Sequence, residues 1–367
     1  MSSHLIVPFL QATGHWSRLF SIDGERRLIT GDRDRLEGYL KAQRLSALTL
    51  EYLLVDDERL RSRLYERSLK DSAIQALVDE NAERVIRRLT EKRIATVLVK
   101  GPVIAGMYPR TSLRPYVDLD LFVSRNDVAK AVETLREMGL RLEGTMRLGR
   151  NVIDGYAELQ FVNSQRTFVV DLQWHLVRSR SLRAGMRFDV GDLTRHIQVF
   201  GLGRTEVSTF RPEMHLLYLI SHHMLHHRFE RAVWLLDVLV VLERHPAFDW
   251  HGLVGLAREI GLERPAFYHL NALDRLGLRH PPSGVLRALR PRGLRYHLLS
   301  SLCPPQSIFW TSTRRLALRR RALRESLKVP RARGDRPGGG SDSNPALAML
   351  GPAELSGKLA DHVVNEP

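Results

Sequence analysis

The sequence predicts an α+β protein, with a mixed α/β unit set between two helical stretches. Three observations carry that reading. Apolar residues recur at helical spacing up to Arg93. Short β-branched and alternating runs fill residues 96–176. Helical spacing then returns after Arg211-Pro212.

Taken in order, residues 34–53 form a helix with Leu36, Leu40, Leu45 and Leu48 near one face. Residues 57–93 form a second, with Leu64, Ala73, Ala76, Leu77, Val85 and Leu89 on its apolar side and a break expected near Ser72. Thr96-Val97-Leu98-Val99 reads as a buried strand ending at Lys100-Gly101, and a short helix follows over residues 103–108. Asp118–Val123 is the next strand. Asn126 or Asp127 caps a helix over residues 128–138 that stops at Gly139. Residues 141–147, 156–162 and 167–176 read as strands, and residues 213–227 and 230–243 as helices. Shorter helices are expected over residues 253–260, 266–276 and 285–289. Residues 330–344 are rich in Gly, Pro, Ser and Arg and should be disordered. The resulting division is a helical region (1–93), an α/β core (94–210), a helical domain (211–310) and a basic tail (311–367).

Composition narrows the class. The chain has 367 residues, 43% hydrophobic and 26% charged, enough to bury a core without covalent staples. Cys303 is the single cysteine, which excludes an internal disulfide and fits a reducing cytoplasm. No run approaches the ~20 apolar residues that span a bilayer. The best stretch, residues 232–242, is too short and holds Asp237. No basic residues precede the apolar stretch at Leu5, so no signal peptide is expected and a cytosolic location is.

The net charge is +15, unevenly spread. Residues 311–336 hold ten basic and two acidic side chains, a surplus of eight, and the remaining 341 residues share the other seven charges. Arg314, Arg315, Arg319, Arg320, Arg321 and Arg324, interleaved with leucines, suit RNA, DNA or an acidic membrane surface as a partner; a solvated basic tail is the plain alternative.

The chemistry-bearing window runs from Lys100 to Asp120, with Asp171 beyond it. Asp118 and Asp120 are two apart, so on a strand both leave one face. Carboxylates that close repel unless a cation lies between them, and hard divalent ions such as Mg²⁺ take such oxygen ligands. Asp171 lies in an apolar strand and could complete a two-metal site for in-line phosphoryl displacement. Lys100-Gly101 falls where a strand gives way to a helix, a place where backbone N–H groups can meet phosphate. Lys100 or Arg114 could add a cation for a triphosphate.

The ordered motifs resemble those of a known family. Leu98-Val99-Lys100-Gly101, Met107-Tyr108-Pro109, Leu113-Arg114-Pro115, Asp118-Leu119-Asp120-Leu121 and Val170-Asp171-Leu172-Gln173-Trp174-His175-Leu176 are similar to the bacterial uncharacterised nucleotidyltransferase family, within the DNA polymerase beta-like nucleotidyltransferase superfamily. Residues 222–242, with Trp234-Leu235-Leu236-Asp237, resemble its helical C-terminal part. The resemblance spans residues 36–278. It implies transfer of a nucleoside monophosphate from an NTP to a hydroxyl acceptor (small molecule, peptide or protein, or RNA) with release of pyrophosphate. Asp118, Asp120 and Asp171 would hold two Mg²⁺ ions, with Mn²⁺ as a substitute, and Asp171 would also deprotonate the acceptor. Lys100, Gly101 and Arg114 would meet the nucleotide. The chain departs from the family pattern at Lys100, at Pro102 where many superfamily members carry Ser, at Gln173 for His and at His175 for Arg. Those departures keep a second reading open: an inactive nucleotide-binding relic whose basic tail binds nucleic acid.

Two further features stand out. His222, His223, His226 and His227 place pairs four apart on one helical face, a metal-binding spacing. No Glu lies between them and no Cys joins them, so helix packing is the expected role. Asp237 sits among apolar residues and needs a partner; an Arg or a His is expected.

Overall fold

A computed structural model describes residues 3–143, 156–178, 183, 186, 195–227 and 231–291. Helix α1 (Ser3–Ser17) leads into a two-stranded ribbon, β1 (Ser21–Ile22) with β2 (Leu28–Ile29). The helix expected over residues 34–53 is two helices, α2 (Arg33–Ala42) and α3 (Ser46–Tyr52). Between them Arg44 takes a left-handed φ of 56°. Asp32 caps α2 by accepting from the Arg35 N–H, and Asp57 caps α4 (Glu58–Glu91) by accepting from Leu60. Helix α4 runs unbroken through Ser72 for 34 residues, about 50 Å at 1.5 Å per residue.

The centre is a seven-stranded mixed sheet in the order β5-β6-β7-β4-β3-β9-β8. Its strands are β3 (Thr96–Leu98), β4 (Asp118–Val123), β5 (Arg141–Leu142), β6 (Glu158–Val162), β7 (Val169–Gln173), β8 (Ile197–Leu202) and β9 (Thr205–Phe210). Helix α5 (Pro102–Ala105) follows β3, and α6 (Val128–Glu137) follows β4. Ser124, not Asn126 or Asp127, supplies the side-chain cap in the 3-10 turn before α6. Beyond the sheet come α7 (Pro212–Ser221), a π-helical turn (His222–His226), α8 (Val233–Arg244), α9 (Trp250–Ile260), α10 (Glu263–Arg275) and α11 (Ser283–Leu289).

Alternation along the strands sets two faces. Leu119, Leu121 and Val123 of β4, with Leu159, Phe161, Val170 and Leu172, pack against Val78, Val85 and Leu89 of α4 and Val132 and Leu135 of α6. The opposite face carries Asp118, Asp120, Phe122, Asp171 and Gln173, and it meets the other helices. Phe122, Val99 and Phe210 there belong to an apolar cluster shared by α1–α3, the first turns of α4 and α7–α11. The two helical stretches, far apart in sequence, thus build one core over the polar face of the sheet.

The hairpin β8–β9 was not legible as strands in the sequence; Ile197 pairs with Phe210 through to Leu202 with Thr205, turning at Gly203 (φ 56°). The expected strand over residues 141–147 is described only as Arg141–Leu142. The tail, residues 311–367, lies outside the described residues, as does residue 230 at the expected start of the second C-terminal helix. Among the described residues no helix is long and apolar enough to cross a membrane.

Candidate functional site

Strands β4 and β7 are parallel neighbours with Asp120 opposite Asp171, and Asp118 leaves the same face of β4 two residues earlier. On β7's other side, antiparallel β6 sets Gln160 opposite Asp171 and Glu158 opposite Gln173. Six polar residues, Asp118, Asp120, Asp171, Gln173, Gln160 and Glu158, therefore stack across three strands on the face turned to the helices. Asp120 is 1% exposed and Asp171 9% exposed, so these carboxylates sit at the inner end of the site, while Asp118 is half-buried.

Lys100 reaches this cluster from the end of β3. Its ammonium is 2.6 Å from Asp120 Oδ1 and 3.2 Å from His222 Nε2. Burial works against that charge, but Asp120, Asp118 and Asp171 outweigh it and hold Lys100 above its ordinary pKa. Burial raises Asp120 to about 7; Lys100 opposes the rise, and the neighbouring Asp118 and Asp171 charges add to it. Burial and Asp118 likewise raise Asp171. One ammonium does not relieve three crowded carboxylates.

Gln173, the departure from the family's His, donates from Nε2 to Asp120 Oδ1 at 2.9 Å and accepts from the Tyr218 hydroxyl of α7 at 2.8 Å. Gln160 donates to Asp171 Oδ1 at 2.8 Å. Glu158 is ion-paired with Arg178. Sequence reasoning missed Gln160, Tyr218, Glu158 and Arg178. Alternation outward from Asp171 would have flagged Gln173, and then Gln160 and Glu158 once the β6 register was known.

The other sequence-predicted residues divide. Gly101 has φ +51°, and a Cβ there would lie 3.3 Å from the Tyr116 ring and 3.4 Å from the Asp118 carbonyl oxygen, so the tight turn beside the carboxylates needs glycine. Arg114 is engaged elsewhere: its Nε and one terminal nitrogen donate to the two oxygens of Asp237, each at 2.7 Å. Tyr108 adds a third hydrogen bond to Asp237 at 2.9 Å. Asp237 therefore has the arginine partner its apolar setting demanded.

The four histidines pack as rings. His222 lies 4.5 Å from His227 and 5.1 Å from His226, centroid to centroid, and His223 stacks on Trp234 at 5.4 Å. Burial, with the Lys100 charge acting on all four, lowers their pKa values well below the usual range, so they are neutral. Among the described residues, no three His, Cys, Asp or Glu side chains already converge to hold a metal ion.

A sheet carrying paired aspartates across neighbouring strands, closed by helices, fits the class of phosphoryl-transfer proteins. A family model described as "Uncharacterised nucleotidyltransferase" matches residues 30–276, more than half of the chain, and the chain belongs to that family. Among solved structures, an antigenic nucleotidyltransferase-like protein from Paracoccidioides brasiliensis aligns at 13% identity, covering 58% of this chain and 96% of that one, with a TM-score of 0.31. No curated protein matches the chain.

Proposed function

We propose that the protein moves a nucleoside monophosphate from an NTP to a hydroxyl acceptor with release of pyrophosphate, using divalent metal ions held by Asp118, Asp120 and Asp171. The observation that carries the reading is the β4–β7 register, which sets Asp120 opposite Asp171 with Asp118 on the same face. The donor set fits Mg²⁺: three hard carboxylates, two of them pushed toward the neutral form by burial and then by their neighbours' charge. Bound metal would neutralise the phosphates and the charge that develops in the transition state. Of the chain's own groups, Gln173 and Gln160 orient Asp120 and Asp171. Asp171 would take the acceptor's proton, and Lys100 and the Gly101 turn would face the nucleotide. Arg114 enters this reading at one remove, since both oxygens of Asp237 occupy its guanidinium. A location in the cytosol and an RNA, peptide or small-molecule acceptor belong to the same proposal.

The nucleotide-binding relic has one observation in its favour. The Lys100 ammonium on Asp120 is a built-in counterion, which lets a metal-free site persist.

Asp118→Asn and Asp120→Asn should each remove turnover by at least ~10²-fold while the fold survives, because Asn keeps the shape and loses the charge. Asp171→Asn should spare nucleotide binding more than chemistry. Calorimetric titration of NTP with and without Mg²⁺, alongside pyrophosphate release with a lysate-derived acceptor pool, reads both. Metal-independent NTP binding that the mutants share sinks the metal-site reading. Metal-dependent binding with no pyrophosphate from any acceptor selects the relic.

A further inference from the structure

Two guanidinium groups lie side by side at the Asp118 end of the site, and they are in opposite situations. Arg114 has a full carboxylate partner in Asp237. Among the described residues, the Arg44 side chain, in the turn between α2 and α3, makes one hydrogen bond, from a terminal nitrogen to the Pro115 carbonyl at 3.3 Å. Among the described residues no carboxylate is in ion-pair contact with it. The acidic groups whose charge is felt at Arg44 are Asp118 and Asp71, and Asp71 is already paired with Arg67 at 2.9 Å. Burial and the Arg114 charge both disfavour the Arg44 cation. A largely buried cation without a counterion is costly unless an anion arrives to pair with it.

The surroundings agree on where that anion belongs. The preceding residue, Gln43, accepts at 2.5 Å from the N–H of Ala232, pinning the turn against the start of α8. His227 on the same side feels four cations: Lys100, Arg231, Arg178 and Arg44. Lys100 is committed to Asp120 and Arg178 to Glu158, while Arg231 lies over the Trp234 ring, 5.4 Å from its centroid.

We infer that Arg44 binds the triphosphate of the nucleotide, filling the role that sequence reasoning assigned to Arg114. The inference rests on the nucleotidyltransferase reading above, because the anion that neighbours both Arg44 and a cation at Asp118 is a metal-chelated phosphate. Arginine suits the task, since its planar fork donates two parallel hydrogen bonds to phosphate oxygens. The helical region ahead of the sheet is then part of the site as well as scaffold.

The test is calorimetric titration of the full chain with MgATP and with magnesium tripolyphosphate. Arg44→Gln should weaken both by about 10- to 100-fold, the usual weight of a charge-assisted bond. Arg44→Lys, which keeps the charge and loses the fork, should fall between wild type and Arg44→Gln. Without ligand, Arg44→Gln should unfold at a denaturant concentration equal to or above wild type, since it relieves an uncompensated charge. A structural arginine would give the opposite. Unchanged ligand affinity in Arg44→Gln, or a ligand-free protein that it destabilises, overturns the inference while the nucleotidyltransferase reading stands. A wild-type protein that binds neither MgATP nor tripolyphosphate overturns both.

Discussion

At the scale of single residues, Asp237 shows how far composition alone can be pushed. It is 1% exposed in the middle of α8, flanked by Leu236 and Val238, and this setting required a partner. The sequence could not say which one, because Arg114 lies 123 positions away and only the packing of α8 over the sheet joins them. Removing one member strands the other. Asp237→Asn should destabilise the protein by about 3–5 kcal/mol by leaving Arg114 buried and unpaired. Tyr108→Phe, which takes away one hydrogen bond, should cost about 1 kcal/mol. Urea unfolding midpoints measure both. Replacing the pair together, Arg114→Met with Asp237→Leu, should cost less than Asp237→Asn alone, a coupling that a double-mutant cycle resolves. Additive effects would show that the pair does not act as a unit. The site carboxylates were easier to read, because Asp118, Asp120 and Asp171 sit inside apolar runs where a charge has no structural excuse. Arg44 was not legible: an arginine in a left-handed turn carries none of the glycine or proline marks by which turns are recognised.

At the scale of elements, period decided what could be seen. Strand β4 stands at the bounds expected for it, and α4 was clear because its apolar positions repeat over many turns. The hairpin β8–β9 escaped for a physical reason. Its outer strand lies at the sheet edge, where Gln198, Val199 and Gly201 are exposed, so no clean alternation of buried and open positions marks it. The turn from β3 into α5 is the element on which the site depends most. Gly101 must hold φ +51° with ψ −111°, a region closed to side chains, while its backbone passes close to Tyr116 and Asp118. Gly101→Ala should cost about 1–3 kcal/mol in stability. Because the added methyl presses on the Tyr116 ring and the turn that must shift borders Asp118, it should also weaken Mg²⁺-dependent NTP binding. Chemical denaturation and nucleotide titration check the two effects separately. An alanine variant with wild-type stability would mean that the turn relaxes into an ordinary conformation.

At the scale of the whole molecule, the fold keeps an unusual number of histidines away from water. His215 is 1% exposed and donates from Nε2 to the Val99 carbonyl at 2.7 Å, tying α7 to the end of β3. Burial lowers it to about 4, lowers His175 to about 4 and His269 to about 3, and takes His222, His223, His226 and His227 well below their ordinary value. In the unfolded chain each returns to about 6.5. Between those limits the unfolded state binds protons that the native state refuses, so native stability is complete above about pH 6.5 and drains away as pH falls toward 4. For His215 alone the full difference is about 3 kcal/mol, from roughly 2.5 pKa units at 1.36 kcal/mol each. Asp120, Asp171, Glu158 (raised to about 8 by burial) and Asp79 pull the other way, since their raised values let the native state take up protons first. Four carboxylates offset the seven histidines only in part, against a typical net stability of about 5–15 kcal/mol. The urea midpoint should therefore fall from pH 6.5 to pH 5, before ordinary carboxylates titrate. His215→Gln, whose amide can still donate to Val99, should flatten part of that slope while costing little at pH 8. A midpoint that stays level from pH 7 to pH 5, or a glutamine variant with the wild-type slope, would show that these rings are not held neutral by the fold.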